Sequence, residues 1–238
     1  MSRPWEVLER VETRDGVLEL RRRGDRDFLI SIDGRVLMTS ATSRSEQVLG
    51  AEASRALGGR AGAEVLVSGL GMGITLRAVL DGLPASARVT VAEINPDVVR
   101  WCRGDLAGLT DAALDDPRVR VEIGDVAEVI AAAAQGRRDR FDAIVLDLYC
   151  GPARGRHRDE DPFFGRRALE RTHQALAADG VFALWAEATD ASFEKRLGRT
   201  GFAFERQRPP GGGLRHAVYL ARPRTKKGGL RKGTVLRN

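Results

Sequence analysis

Near the start of the chain, short runs alternate apolar with polar residues. Val17-Leu18-Glu19-Leu20 precedes a turn at Gly24-Asp25, and the apolar run 28–32 passes through Asp33-Gly34 into Arg35-Val36-Leu37-Met38. A period of two predicts strands. Asp-Gly between two such runs predicts a hairpin, because glycine takes the positive φ that a tight turn demands. The spacing then becomes helical: Val48, Leu49, Ala53, Ala56 and Leu57 share one face, with Ser43 or Ser45 placed to cap the start and Gly58-Gly59 to stop the helix.

From Glu64 onward, β-branched runs alternate with longer helical stretches, the signature of a parallel sheet covered by helices. Strands are predicted over 65–68, 88–92, 119–123, 141–147 and 181–185. Helices fit over 74–80, 96–106, 126–135 and 163–178, with a further one over 191–197. An antiparallel pair, 202–207 and 215–221, is joined by Pro209-Pro210-Gly211-Gly212-Gly213. The fold class is α/β: a β appendage over 1–45, a nucleoside-binding domain over 46–221 and a tail over 222–238.

The chain has 238 residues, 42% of them hydrophobic, enough for one sizeable core plus a small appendage. No apolar run approaches eighteen residues, and Met1-Ser2-Arg3-Pro4-Trp5-Glu6 does not open like a signal peptide, so a cytoplasmic protein with no membrane partner is expected. Two cysteines, Cys102 and Cys150, and three scattered histidines, His157, His173 and His216, offer no metal-ligand spacing, and no metal is expected. The net charge of +6 changes the picture less than it first suggests. Seven of the 39 bases lie from Arg222 onward with no acid among them, leaving 32 bases against 33 acids in residues 1–221. The excess belongs to a Gly/Lys/Arg tail that reads as a disordered, solubilising end; a nucleic-acid partner is the weaker alternative.

The most informative stretch is Val65-Leu66-Val67-Ser68-Gly69-Leu70-Gly71-Met72-Gly73, a strand emptying into three alternate glycines and then a helix. Such glycines let a ligand approach the backbone amides. A dinucleotide fingerprint requires G-x-G-x-x-G, and Ile74 stands where its last glycine belongs, which points away from NAD toward an S-adenosylmethionine-type nucleoside. Glu93 closes the second strand about 20 residues beyond the loop, where an acid can accept both ribose hydroxyls. Asp125, in Ile123-Gly124-Asp125-Val126, closes the third, within reach of an adenine amino group or as a helix cap. Asp147 closes the fourth and is the candidate base beside the sulfonium. Open α/β sheets bind ligands across these strand ends, so all three acids converge on one crevice.

These residues resemble the spermidine synthase (polyamine aminopropyltransferase) family, and most closely its short bacterial members. The resemblance spans about residues 17–221: the Asp-Gly hairpin, the glycine loop running into Thr75-Leu76-Arg77, Val91-Ala92-Glu93-Ile94-Asn95-Pro96, Gly124-Asp125, and Asp147 followed by Gly151-Pro152. It implies a Rossmann-like, methyltransferase-type sheet with a small N-terminal β part, and a homodimer. It also implies that Glu93 binds ribose, Asp125 binds adenine and Asp147 is the general base. The donor site is then expected from Gly69, Gly71, Met72, Gly73, Glu93, Ile94, Gly124, Asp125, Val126 and Asp147. Asp147 and Tyr149 are the catalytic candidates, and Glu46, Tyr149 and Cys150 would face a small-molecule acceptor.

Four departures qualify the pattern. Met72 stands where the family's Gly-Gly-Asp-Gly-Gly loop has its acid. Leu37-Met38-Thr39 replaces Gln-x-Thr, Arg44-Ser45-Glu46-Gln47 lies where a tyrosine-histidine pair is usual, and Tyr149-Cys150 follows Asp147 in place of a second aspartate. Without the acid at 72, ordinary S-adenosylmethionine and methyl transfer are the expected donor and reaction. Aminopropyl transfer from decarboxylated S-adenosylmethionine is the alternative. A nucleic-acid-binding or RNA-modifying protein, or a non-catalytic nucleoside-binding homologue, are alternatives of another class.

Overall fold

The computed structural model describes residues 3–148, 160–208 and 216–224. Four antiparallel strands come first: β1 (Glu6–Thr13), β2 (Gly16–Arg23), β3 (Asp27–Ile32) and β4 (Arg35–Thr39), paired in sequence order. Ile32 pairs with Arg35 across a two-residue turn in which Asp33 and Gly34 both take positive φ, as the hairpin motif predicts. The sequence reading missed β1. Its residues are at most half-buried, and a register shift between Val7 and Glu9 breaks the alternation on which a strand assignment depends.

Helix α1 (Arg44–Ala56) follows, and neither predicted serine caps it with its side chain: Ser43 makes no cap bond, and Ser45 Oγ donates to Glu46 Oε2 at 2.7 Å. The larger unit then runs β5 (Glu64–Ser68), α2 (Ile74–Asp81), β6 (Arg88–Glu93), α3 (Pro96–Arg103), β7 (Val119–Ile123), α4 (Val126–Ala134) and β8 (Phe141–Leu146). After the segment outside the described residues come α5 (Arg166–Ala175), β9 (Leu176–Ala186), α6 (Ala191–Arg199), β10 (Phe202–Gln207) and β11 (Ala217–Pro223). Several boundaries differ from expectation: β9 begins at Leu176 rather than 181, and β11 runs on to Pro223, so the first residues of the expected tail belong to the sheet. Helix α3 stops at Arg103, where Gly104 donates its amide back to Arg100 and Trp101. Helix α5 is shorter than the predicted 163–178, because the chain already enters β9 at Leu176, and β8 stops one residue before Asp147.

The seven strands of the main sheet lie in the order β10-β11-β9-β8-β5-β6-β7, parallel from β9 through β7, with β11 antiparallel to both of its neighbours. The chain leaves β5 toward β6 and later returns to place β8 on the other side of β5. That reversal opens a crevice at the carboxyl ends of β5 and β8.

Alternate residues face opposite layers. Val65, Val67, Ala143 and Val145 join a core shared with α1, α2, α3 and the N-terminal strands, while Leu66, Ile144 and Leu146 join one under α4, α5 and α6. Leu18, Leu20, Phe28 and Ile30 of the N-terminal sheet belong to the first core, so the appendage is packed onto the main unit. Glu9 on β1 fastens it further, accepting from Arg100 Nη1 at 2.6 Å and from Trp101 Nε1 at 2.8 Å.

Candidate active site

Three strand ends and one glycine loop build the rim. Gly69, Gly71 and Gly73 all take positive φ, at 69°, 54° and 79°, so the alternate glycines answer a backbone requirement. A Cβ on Gly69 would lie 3.0 Å from the carbonyl oxygen of Asp147, whereas one on Gly71 would meet the end of Met38, with Cε at 2.5 Å. Both substitutions force a side chain into left-handed backbone, at about 1 to 2 kcal/mol. Only Gly69→Ala must also move main chain. In urea titrations Gly69→Ala is therefore expected to lose clearly more stability than Gly71→Ala, because a methionine tip can swing aside. Equal losses would show that both positions are governed by φ alone.

Glu93 is buried, with 7% of its surface exposed, and each of its oxygens already holds an amide: Leu70 N at 2.7 Å on Oε2 and Asn95 N at 2.8 Å on Oε1. The carboxylate thus ties the glycine loop to the start of α3 and still has a lone pair free on each oxygen. Cys102 sits beneath it and donates to the carbonyl of Gly71 at 3.3 Å. Burial, reinforced by the charge on Glu93, pushes that thiol up to about 12, so it stays protonated and acts as a donor.

Asp125 is exposed at the end of the next strand. Its Oδ1 accepts from Ala127 N at 2.8 Å, so it caps α4, and its other oxygen is left for a ligand. Ile94 and Ile123, 51% and 55% exposed, are large apolar side chains set immediately beside Glu93 and Asp125. A Cβ at Gly124 would meet nothing within 4 Å, so the surface between the two acids is open. Two expected donor residues are corrected here: Met72 and Val126 turn their side chains into the cores, at 1% and 5% exposure, and offer only backbone to the rim. Ile123 and Met38, absent from the sequence prediction, take places beside the site.

Asp147 follows β8 on the α1 side of the sheet, the face its neighbour Val145 also takes. Thr75 Oγ1 donates to its Oδ2 at 2.5 Å. Enclosure by protein, helped by the nearby charge of Glu46 and opposed by the Thr75 hydrogen bond, raises the carboxyl from 3.8 to about 6. Glu46, in the first turn of α1, lies near enough for its charge to act on Asp147. Trp185 follows Leu184, which pairs with Leu146, and so lies opposite Asp147 at the same rim. Tyr149 and Cys150 lie outside the described residues. Asp161 accepts from Phe163 N and Phe164 N at 2.8 and 2.6 Å, which makes it a turn-bracing acid ahead of α5. Among the described residues no three metal-ligating side chains cluster, and no helix is long and apolar enough to cross a membrane.

The donor set fits an adenosine-bearing sulfonium. Acids stand at the end of β6 and just past β7, exposed isoleucines flank them, and the glycine backbone beside them carries no Cβ. Together with the strand order, this defines a Rossmann-like domain of the methyltransferase type, and solved structures agree on the fold. Spermidine synthase from Thermotoga maritima aligns over 93% of this chain and 74% of its own, with a TM-score of 0.68 at 19% identity. A spermidine synthase in complex with the transition state analogue AdoDATO aligns over 93% and 73%, with a TM-score of 0.66 at 19% identity.

A spermine/spermidine synthase domain matches residues 56–196, and the chain belongs to that family. Among curated relatives, the polyamine aminopropyltransferase of Clostridium tetani is 29% identical over 125 residues, 50% of this chain and 39% of that protein. Polyamine aminopropyltransferase 1 of Hyperthermus butylicus is 34% identical over 125 residues, covering 49% and 38%. Putrescine N-methyltransferase 4 of Nicotiana tabacum is 35% identical over 126 residues, covering 52% and 30%. The matched stretch spans no more than about two fifths of the length of these relatives.

Proposed function

We propose that this chain transfers a carbon group from an adenosyl sulfonium donor to a small amine, with Asp147 as the base that takes the amine's proton. The observation that carries the reading is the Asp147 carboxyl, fixed at the crevice by Thr75 and raised to about 6. Such a group is ionised at neutral pH and basic enough to accept a proton during attack. When bound, the donor would supply a carbon made electrophilic by its sulfonium, the carbon–sulfur bond breaking as the carbon–nitrogen bond forms and a neutral thioether leaving. The chain does the rest. Glu93 holds the sugar, Asp125 the base edge, and Ile94 and Ile123 cover the ring, while Asp147 and Glu46 attract and orient the amine so that attack occurs from a fixed geometry.

Aminopropyl transfer from decarboxylated S-adenosylmethionine is the favoured form, supported by family membership and by relatives named polyamine aminopropyltransferases. One observation favours methyl transfer as the second reading. Met72 is sealed in the core where an acid would anchor the donor's amine, and a putrescine N-methyltransferase is also among the relatives. Calorimetric titration with S-adenosylmethionine, its decarboxylated form and methylthioadenosine separates the two. The decarboxylated donor is expected to bind at least tenfold more tightly than the parent compound. The reverse order would move the assignment to methyl transfer, and failure of all three ligands to bind at millimolar concentration would remove the donor site altogether.

A further inference from the structure

We infer that Thr75 is a positioning residue for Asp147: its hydroxyl pins carboxylate oxygen Oδ2 and leaves Oδ1 as the atom that receives a proton. The inference rests on the reading of Asp147 as base and adds the group that sets its geometry and affinity for protons. Thr75 is buried, in the first turn of α2, and its Oγ1 lies 2.5 Å from Asp147 Oδ2 and 3.4 Å from the carbonyl oxygen of Glu46. A hydroxyl has one proton to give. With Asp147 ionised, the shorter, charge-assisted contact takes it. Once Asp147 has accepted a proton at Oδ1, the carboxyl is neutral, its pull on the hydroxyl weakens, and the Glu46 carbonyl becomes a competing acceptor. Thr75 therefore links the charge on the base to the α1 turn that carries Glu46.

Two features make this a built arrangement. Threonine's β-branch limits χ1 to few rotamers, and in the one present the hydroxyl is aimed at Asp147. Helix α1 also lies against α2 at Gly50, where a Cβ would come within 2.6 Å of the Thr75 carbonyl oxygen and 2.7 Å of Ala78 Cβ, so the two helices hold the Thr75 turn between them. Among the described residues, the groups facing Asp147 are few. Glu46 from α1 is the charged one; Thr75 from α2 and Trp185 from β9 are neutral, and Ser68 of β5 offers a carbonyl oxygen 3.4 Å from the Asp147 amide. Removing the hydroxyl therefore removes the one side-chain hydrogen bond among the described residues that favours the ionised form, and leaves burial and Glu46 pushing the other way.

The test compares the full chain with Thr75→Val, which keeps the shape, and Thr75→Ser, which keeps the hydroxyl. The Asp147 carboxyl is followed through pH by carbon-13 NMR without substrate, and assigned by its loss in Asp147→Asn. In Thr75→Val the midpoint is expected to rise by about one pH unit, and in Thr75→Ser to return to within a few tenths of wild type. A folded Thr75→Val protein with the wild-type midpoint would overturn the inference, as would a Ser variant that behaves like Val. Where transfer is measurable, the acid limb of kcat/KM should move with the midpoint while nucleoside affinity stays unchanged. Loss of nucleoside affinity instead would make Thr75 a structural residue of the loop. The titration needs no turnover, so it remains decisive even if the proposed transfer reaction is absent.

Discussion

Asp147→Asn should lower transfer by about a thousandfold at pH 7.5 and at the same time make the protein more stable. The first effect is the usual worth of a positioned general base, about 10² to 10⁴ in rate. Asparagine keeps the shape and can still accept from Thr75, so nucleoside affinity should not change. The second effect follows from linkage. The folded-state value, about 6, lies above the 3.8 of a free carboxyl. The folded protein therefore binds this proton more tightly than the unfolded chain does, and stability falls as pH rises from about 4 to about 6. Above that window the ionised carboxyl costs the fold roughly 2 to 3 kcal/mol, a cost that asparagine does not carry. For a chain of this size that amounts to a melting temperature higher by about 4 to 12 °C at pH 7.5, with the gap closing as pH falls from about 6 to about 4. Calorimetric scans at pH 4 and 7.5 check it. A variant no more stable than wild type at the higher pH would mean the carboxyl is well solvated, and one retaining a tenth of the turnover would remove Asp147 as base.

The same ionisation sets the acid limb of the reaction. On the proposed reading of Asp147 as base, transfer needs it unprotonated, so kcat/KM should fall tenfold per pH unit below about pH 6 and level off above it. A group with an ordinary carboxylate value would instead place the break near pH 4.

The parallel sheet was legible in the sequence because its strands are buried on both faces: Val65, Leu66 and Val67 are all but completely inaccessible, and such runs are unmistakably apolar. β1 was not legible, since Glu6–Thr13 buries none of its residues fully. Glu93 and Asp147 were readable from spacing, as each is the first polar residue after an apolar run, whereas Asp125 follows the mixed strand Val119–Ile123 and was placed by the Gly124-Asp125 step ahead of a helix. What spacing could not reveal was how each acid is already occupied. Glu93 holds two loop amides and Asp125 one helix amide, contacts set by how the turns fold. Thr75 carried no signal as the partner of Asp147, because 72 residues separate them and only the crossing of β8 back beside β5 brings them together. Met72 misled for the opposite reason: a position inside a glycine-rich loop reads as ligand-facing, yet the loop turns that side chain inward to the core.

Glu93 offers the second large effect, and two substitutions divide its roles. In Glu93→Ala both Leu70 N and Asn95 N lose their acceptor in a buried setting, at about 1 to 3 kcal/mol each. That variant should be several kcal/mol less stable, and the amide protons of Leu70 and Asn95 should exchange faster with solvent. Glu93→Gln keeps one acceptor oxygen and a similar shape, so its stability loss should be about half as large. Nucleoside affinity should nevertheless fall in Gln as well, by about 10- to 100-fold, because a ribose diol pairs best with a charged group that accepts from both hydroxyls. Titration of methylthioadenosine into the two variants therefore separates scaffold from ligand contact. If the glutamine variant binds like wild type while the alanine variant fails, Glu93 acts on the donor only through the loop it braces, and the sugar must be held by another group at the rim.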